Sequence, residues 1–317
     1  MNWATIITPD YLHYALAVHD SLLKTNREPF YLYVFISCSA SDFQINETRK
    51  GVTFLFIEDV CNEGLGKNIY EKYYFFNRDY FRWSMKAMLL SCLIQNFKIN
   101  KVAYIDCDIN YFNDPTFLFS LLDEYDLILS PHFRSSDPFA EYDNYIMQFN
   151  SGIYNGGFVA ANKNAVPALE WWARSCFAIC EIDPAKGQFV DQTHLNLLPV
   201  YFENVHILKH RGCNIANWNQ LECKRVKQDD GTVLINNEFP VVFIHFTKST
   251  IRGILSGEDA LLLPYLEQYC ERLKTYKPEI DWMLKFKKDT APQKDSGKLV
   301  RNNFLRRFAN KIKNKFS

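Results

Sequence analysis

The sequence predicts an α/β protein, and three observations carry that expectation. Its first half alternates apolar, strand-like runs with segments whose apolar residues recur at helical spacing, an order that pairs strands in parallel through helical crossovers. At 317 residues with 48% hydrophobic side chains, the chain can bury a large core between such layers. One apolar run, Lys-Val-Ala-Tyr-Ile, gives way to two carboxylates, Asp106 and Asp108. Alternate residues of an extended chain point the same way, so the pair is expected on one side of a strand end.

Taken in order, residues 3–8 read as the opening strand, 12–23 as an amphipathic helix, and 31–36 and 52–57 as further strands. Residues 81–95 read as one helix that buries Met85, Met88, Leu89 and Leu93 and feeds the strand ending at Asp106. Residues 126–129 continue the sheet. In 149–158 glycines interrupt an expected strand, and Gly156 and Gly157 allow another group to approach the backbone closely. Helices are expected at 165–180 and 188–198, strands at 205–208 and 241–246. No internal repeat is visible. Residues 1–284 read as one domain; from Lys285 the composition turns to Lys, Asp, Pro, Gln and Ser, a linker into a basic tail over 285–317.

Charge and cysteine usage narrow the function. Lys and Arg (36) balance Asp and Glu (36), which argues against a nucleic-acid binder, since such proteins draw affinity from phosphate neutralisation. Nine cysteines without tight Cys-x-x-Cys pairs fit a reducing compartment better than a disulfide framework. Met1 leads almost directly into an apolar strand with no basic region or cleavage site, and no run approaches the length of a membrane span. A cytoplasmic protein is the expectation.

Two carboxylates aimed together repel unless they share a cation or a proton, so Asp106 and Asp108 point to a divalent metal; a solvated strand end before a turn is the alternative. His245 ends another expected strand and offers a third ligand, a mixed nitrogen and oxygen set that suits Mn²⁺, with Mg²⁺ as the alternative ion. Lys248, or Arg252 beyond it, either neutralises a diphosphate or is a solvated surface charge. Asp191 sits where a helix is expected to begin: it either favours that N-terminus electrostatically or, with Gln192, lines a sugar pocket and takes part in catalysis there. Other patterns fail. Residues 64–68 lack the spacing of a phosphate loop and read as an ordinary loop, there is no Gly-x-Ser-x-Gly elbow, and His206, His210 and Cys213 are explained as well by a strand and its turn as by a metal.

Together these residues resemble the nucleotide-sugar glycosyltransferases of GT-A fold, nearest in pattern to the retaining family-8 type that includes bacterial lipooligosaccharide galactosyltransferases and glycogenin. The resemblance rests on Thr8-Pro9-Asp10, the helix with Arg82 and Lys86, Asp106-Cys107-Asp108, Asn150-Ser151-Gly152, Asn155-Gly156-Gly157, Asp191-Gln192 and His245. It implies a mixed sheet flanked by helices, with Thr8 and Asp10 near the base and ribose and Arg82 and Lys86 at the donor. It also implies Mn²⁺ on Asp106, Asp108 and His245, and Asn155, Asp191 and Gln192 against the transferred sugar. The implied partners are a nucleotide-sugar donor, a UDP-sugar by the same resemblance, and a glycan or glycolipid acceptor. The stretch 206–219 lies outside the family pattern, and Trp218 within it reads either as a stacking platform for an acceptor sugar or as core. A haloacid-dehalogenase-like phosphatase, in which Asp106 is the nucleophile, and a sugar-nucleotide-binding module without catalysis are the competing readings. In 298–317, Val300, Phe304, Leu305, Phe308, Ile312 and Phe316 recur at helical spacing among Lys and Arg, a basic amphipathic pattern suited to peripheral attachment at the inner, anionic face of a membrane.

Overall fold

The computed structural model describes residues 1–45 and 48–291. Strand β1 (Asn2–Ile7) is buried along almost its whole length, with Trp3 and Ile7 facing one core layer and Ala4 and Ile6 the other. The helix Leu12–Thr25 returns the chain so that β2 (Tyr31–Ile36) pairs parallel to β1, and β3 (Val52–Leu55) pairs parallel to β2. Residues 64–68, expected as a loop, begin the helix Gly64–Tyr73; its Ile69 and Tyr73 are buried, so packing overrides the weak helical propensity of two glycines. The helix expected over 81–95 is two, Arg78–Ser84 and Lys86–Gln95, divided at Met85, whose ψ of −8° departs from the helical value.

Strand β4 (Lys101–Ile105) joins β1 in parallel, with Val102 and Tyr104 facing one layer and Ala103 and Ile105 the other. After a turn comes β5 (Ile109–Tyr111), then β6 (Leu127–Pro131). Residues 149–151 end the helix Tyr142–Ser151 rather than open a strand; Gly152, at φ 92°, terminates it, and β7 (Tyr154–Asn162) then runs unbroken through Gly156 and Gly157. This strand lies antiparallel to both β4 and β6, so the sheet is mixed, as the family resemblance implies, and not wholly parallel as the alternation alone predicts.

The helix expected over 188–198 does not form. A short ladder joins β8 (Ile182–Asp183) to β9 (Gln188–Phe189), Val190 takes a left-handed φ of 47°, and two short turns of helix, Thr193–Leu197 and Leu198–Tyr201, follow. Strand β10 (Val205–Ile207) closes one edge of the seven-stranded sheet, whose order is β10-β6-β7-β4-β1-β2-β3. A separate three-stranded sheet comprises β11 (Arg225–Lys227), β12 (Val233–Ile235) and β13 (Phe239–Pro240). The strand expected over 241–246 is β14 (Phe243–His245), and it pairs antiparallel with β5 outside the main sheet.

Three C-terminal helices, Lys248–Ser256, Leu263–Tyr276 and Trp282–Thr290, bury Ile251, Leu266, Tyr269 and Phe286 in a third apolar cluster. The linker expected from Lys285 therefore begins inside a packed helix, and the folded chain reaches at least Thr290. The basic tail lies outside the described residues. No helix among the described residues is long and apolar enough to cross a membrane.

Candidate functional site

The carboxylates Asp106 and Asp108 converge through a turn and not through strand alternation. Strand β4 stops at Ile105, and Ile109 N–H closes the turn on the Asp106 carbonyl at 3.0 Å. Asp106 N–H donates to Gly157 O at 2.9 Å, and Phe246 N–H donates to Asp108 O at 2.9 Å, so β7 and β14 clamp the turn from two sides. His245, opposite Ile109 in the β5–β14 pair, brings Nε2 to 3.0 Å from Asp108 Oδ1 and 3.9 Å from Asp106 Oδ2. One ligand atom from each of the three lies within 4.8 Å of the others. Among the described residues His206, His210 and Cys213 belong to no such group.

Lys86 is buried behind this triad. Its Nζ stands 3.3 Å from both Asp106 Oδ1 and Asp191 Oδ2 and donates to Gly156 O at 2.9 Å. Tyr104 Oη also donates to Asp106 Oδ1, at 2.7 Å. Burial opposes the charge of Lys86, but Asp106 and Asp191 outweigh it and hold the ammonium above its usual range. Burial pushes the Asp191 carboxyl up to about 6, because one ammonium is shared with Asp106 and offsets only part of the desolvation. At His245, burial is outweighed by Asp108, which raises the imidazole, while the same contact lowers Asp108.

Gly156 and Gly157 leave the room this cluster needs. A Cβ on Gly156 would stand 2.6 Å from Asp191 Oδ2, and one on Gly157 would stand 2.6 Å from His245 Cε1 and 2.9 Å from Asp106 Oδ2. Neither adopts a left-handed φ, so space and not backbone freedom requires glycine at both positions. Asn155 accepts from Gly157 N–H at 2.7 Å and donates to His132 Nε2 at 3.2 Å. The Ile153 carbonyl can only accept, so it fixes the proton of His132 on Nδ1. Gln192 is tied at both ends of its amide: Oε1 accepts from Gly156 N–H at 3.0 Å and Nε2 donates to Ser151 O at 2.5 Å. The strained φ of Val190 directly precedes Asp191 and turns it inward.

These groups line a cavity of about 410 Å³ together with Trp218, Thr247 and Ser249. Trp218 is largely buried, edge-on to His132 (5.3 Å between ring centres) and His245 (5.5 Å). Other expected site residues are not among the groups that line this cavity. Thr8 donates to Asp10, and Asp10 borders a separate depression with His13, Phe43 and Tyr276. Arg82 pairs with Asp79, Cys107 packs into the core layer of Trp3 and Ile105, Lys248 is exposed at a helix start, and Arg252 donates to Thr290 O. His132 and Arg134, both cavity residues, were missed by a sequence reading that ended the β6 strand at Leu129. A polar side chain shortly after an apolar run, the signal that marked Asp106, is present at His132.

No protein-family model matches the chain. Two uncharacterized proteins of Bacillus subtilis (strain 168) are similar in sequence. YfnF is 25% identical over 258 residues, covering 80% of this chain and 82% of YfnF. YfnD is 27% identical over 256 residues, covering 79% of this chain and 78% of YfnD. Among solved structures, the galactosyltransferase LgtC in complex with donor and acceptor sugar analogs matches 87% of this chain and 96% of its own, with a TM-score of 0.51 at 16% identity. The bifunctional glycosyltransferase WbbM in its apo form matches 92% of this chain and 52% of its own, with a TM-score of 0.52 at 13% identity. These likenesses establish the GT-A fold.

Proposed function

We propose that this GT-A chain is a glycosyltransferase that moves a sugar from a nucleotide-sugar donor, a UDP-sugar, to a glycan or glycolipid acceptor with retention at the transferred carbon. The observation that carries the reading is the convergence of Asp106, Asp108 and His245 within 4.8 Å, beside a buried lysine–aspartate pair in one cavity. Two carboxylate oxygens and one imidazole nitrogen fit Mn²⁺ or Mg²⁺, Mn²⁺ the better, and the missing Cβ of Gly157 leaves their inner face open. When bound, such an ion supplies Lewis-acid stabilisation of the negative charge on the departing diphosphate.

The remaining work falls to the protein's own groups. Asp191 offers a fixed acceptor to a sugar hydroxyl, and Lys86, committed to Gly156 O, Asp106 and Asp191, keeps its orientation rigid. Gln192 holds the start of β7 against the cavity wall through both ends of its amide. Asn155 and His132 extend the polar wall, and Trp218 offers its indole to the ring of a bound sugar. For the phosphatase alternative only Asp106 Oδ2, 3.9 Å from His245, is left for attack, because Oδ1 accepts from Tyr104 and meets Lys86.

The test is release of UDP from UDP-sugars with Mn²⁺. Asp106→Asn and Asp108→Asn are expected to lower the rate by two orders of magnitude or more, on the scale of about 100-fold for a lost metal ligand, with circular dichroism unchanged. Near-normal turnover by either variant overturns the metal assignment.

A further inference from the structure

Among the described residues, the cavity contains a cation with no acidic partner. Arg134 lines its wall just beyond β6, and burial alone pushes its guanidinium down to about 10, with no neighbouring carboxylate to hold it up. Nη1 donates to Asn144 Oδ1 at 3.0 Å, while Nε is buried without a partner. Asn144 donates in turn to Glu141 Oε2 at 2.7 Å and Trp218 O at 2.9 Å, so its amide oxygen is committed to Arg134 and fixes the planar fork in place. The guanidinium carbon stands 6.0 Å from the Trp218 ring centre. His132 nearby does not compensate: burial and the charge of Arg134 push it down to about 3, so it is neutral.

Every acid in the cavity is already answered, Asp106 and Asp191 by Lys86 and Asp108 by His245. A partly buried guanidinium kept without a counter-ion is costly, and its fork geometry matches a carboxylate through two parallel N–H···O bonds. We propose that the cavity receives a carboxylate-bearing sugar, whose carboxylate pairs with the Arg134 guanidinium while its ring lies against Trp218. The inference rests on the glycosyltransferase reading and names its substrate class: an acidic sugar, such as a uronic acid, on the acceptor or on the donor. One guanidinium balances the single charge of a carboxylate. On the proposed reading the donor diphosphate is answered by the metal ion at Asp106, Asp108 and His245, which leaves the Arg134 guanidinium for a second anion.

The experiment uses the full chain with Mn²⁺ and two pairs of probes. Methyl glucuronide against methyl glucoside, with UDP present, reads the acceptor side; UDP-glucuronate against UDP-glucose reads the donor side. Each pair differs by a carboxylate in place of a hydroxymethyl group. In one arm the acidic probe is expected to bind about tenfold more tightly or better, Arg134→Met is expected to erase the difference, and Arg134→Lys, which keeps charge without the fork, to retain part of it. No preference in either arm overturns the proposal, and so does a preference that survives in Arg134→Met. A variant that weakens UDP itself, with the acidic preference intact, assigns the guanidinium to the diphosphate and also overturns it. The wild-type comparison needs no variant, so the proposal stays falsifiable where Arg134→Met does not fold. Failure of the underlying reading registers separately, as no Mn²⁺-dependent UDP release while the acidic preference persists.

Discussion

Gly157 is the residue at which the site tolerates least change. Alanine there would place a methyl group 2.6 Å from both Asn155 Oδ1 and His245 Cε1, and each of those groups is held by its own contacts. Gly157→Ala is therefore expected to weaken Mn²⁺ binding by roughly 10- to 100-fold and to cost about 1–3 kcal/mol of stability from overpacking. Titration calorimetry with Mn²⁺ and urea denaturation check the two parts; an alanine variant with unaltered Mn²⁺ affinity would show that the triad does not depend on this clearance. Residues of this kind were legible in the sequence where chemistry and position coincided: paired aspartates after an apolar run, a histidine at the end of another, adjacent glycines in a strand. Arg134 was not, because a lone arginine looks the same in sequence whether it is solvated or faces a cavity.

At the scale of elements, the segment that carries Trp218 is fixed from outside the cavity. Arg225 donates to Ala216 O at 2.7 Å, to Cys223 O at 2.5 Å and to Asn219 O at 3.3 Å, and it pairs with Asp259 at 2.9 Å, both members of the pair buried. Arg225→Met removes three anchors of the loop and leaves a buried carboxylate unpaired, so a loss of about 3–5 kcal/mol is expected in urea denaturation. Arg225→Met combined with Asp259→Leu is expected to recover much of that loss, because no unpaired charge remains. A double variant as unstable as the single would mean that the carbonyl bonds, and not the charge, dominate. Long-range anchors of this kind leave no trace in local periodicity. The apolar runs of β1, β2 and β4 do, and they stand where the sequence puts them. The helix expected over 188–198 fails for a local reason that periodicity does not register, the left-handed backbone of Val190.

The whole molecule couples its stability to pH through buried histidines. Burial pushes both His13 and His19 down to about 4; Lys277 and Lys285 reinforce this at His13 and Arg49 at His19, against Asp10 and Asp20 respectively. A lowered folded-state value means that protons prefer the unfolded chain. Stability is then complete above about 6.5 and is lost as pH falls toward 4, by on the order of 1 kcal/mol for each ring at pH 5 once nearby water is allowed for. Urea midpoints at pH 7 and pH 5 are expected to show the drop, and His19→Gln to lessen it; identical midpoints would mean that neither ring is buried as a neutral group. The basic stretch 298–317 is a further whole-chain expectation: protein ending at Gly297 is expected to leave anionic vesicles that the full chain binds at low salt, and equal binding by both would remove the tail from the interaction.

The clamp on the Asp106–Asp108 turn has a consequence for how the chain reaches this state. Its parts come from β4, β7 and β14, segments remote from one another in sequence, with Lys86 and Asp191 drawn from two more. Contacts of such range are formed late, after most loops have closed. A cation that binds the finished triad and not the open chain would draw its affinity from the native population alone, which makes Mn²⁺ uptake a reporter of completed folding: an intermediate with its helices and first strands in place would still be blind to the ion.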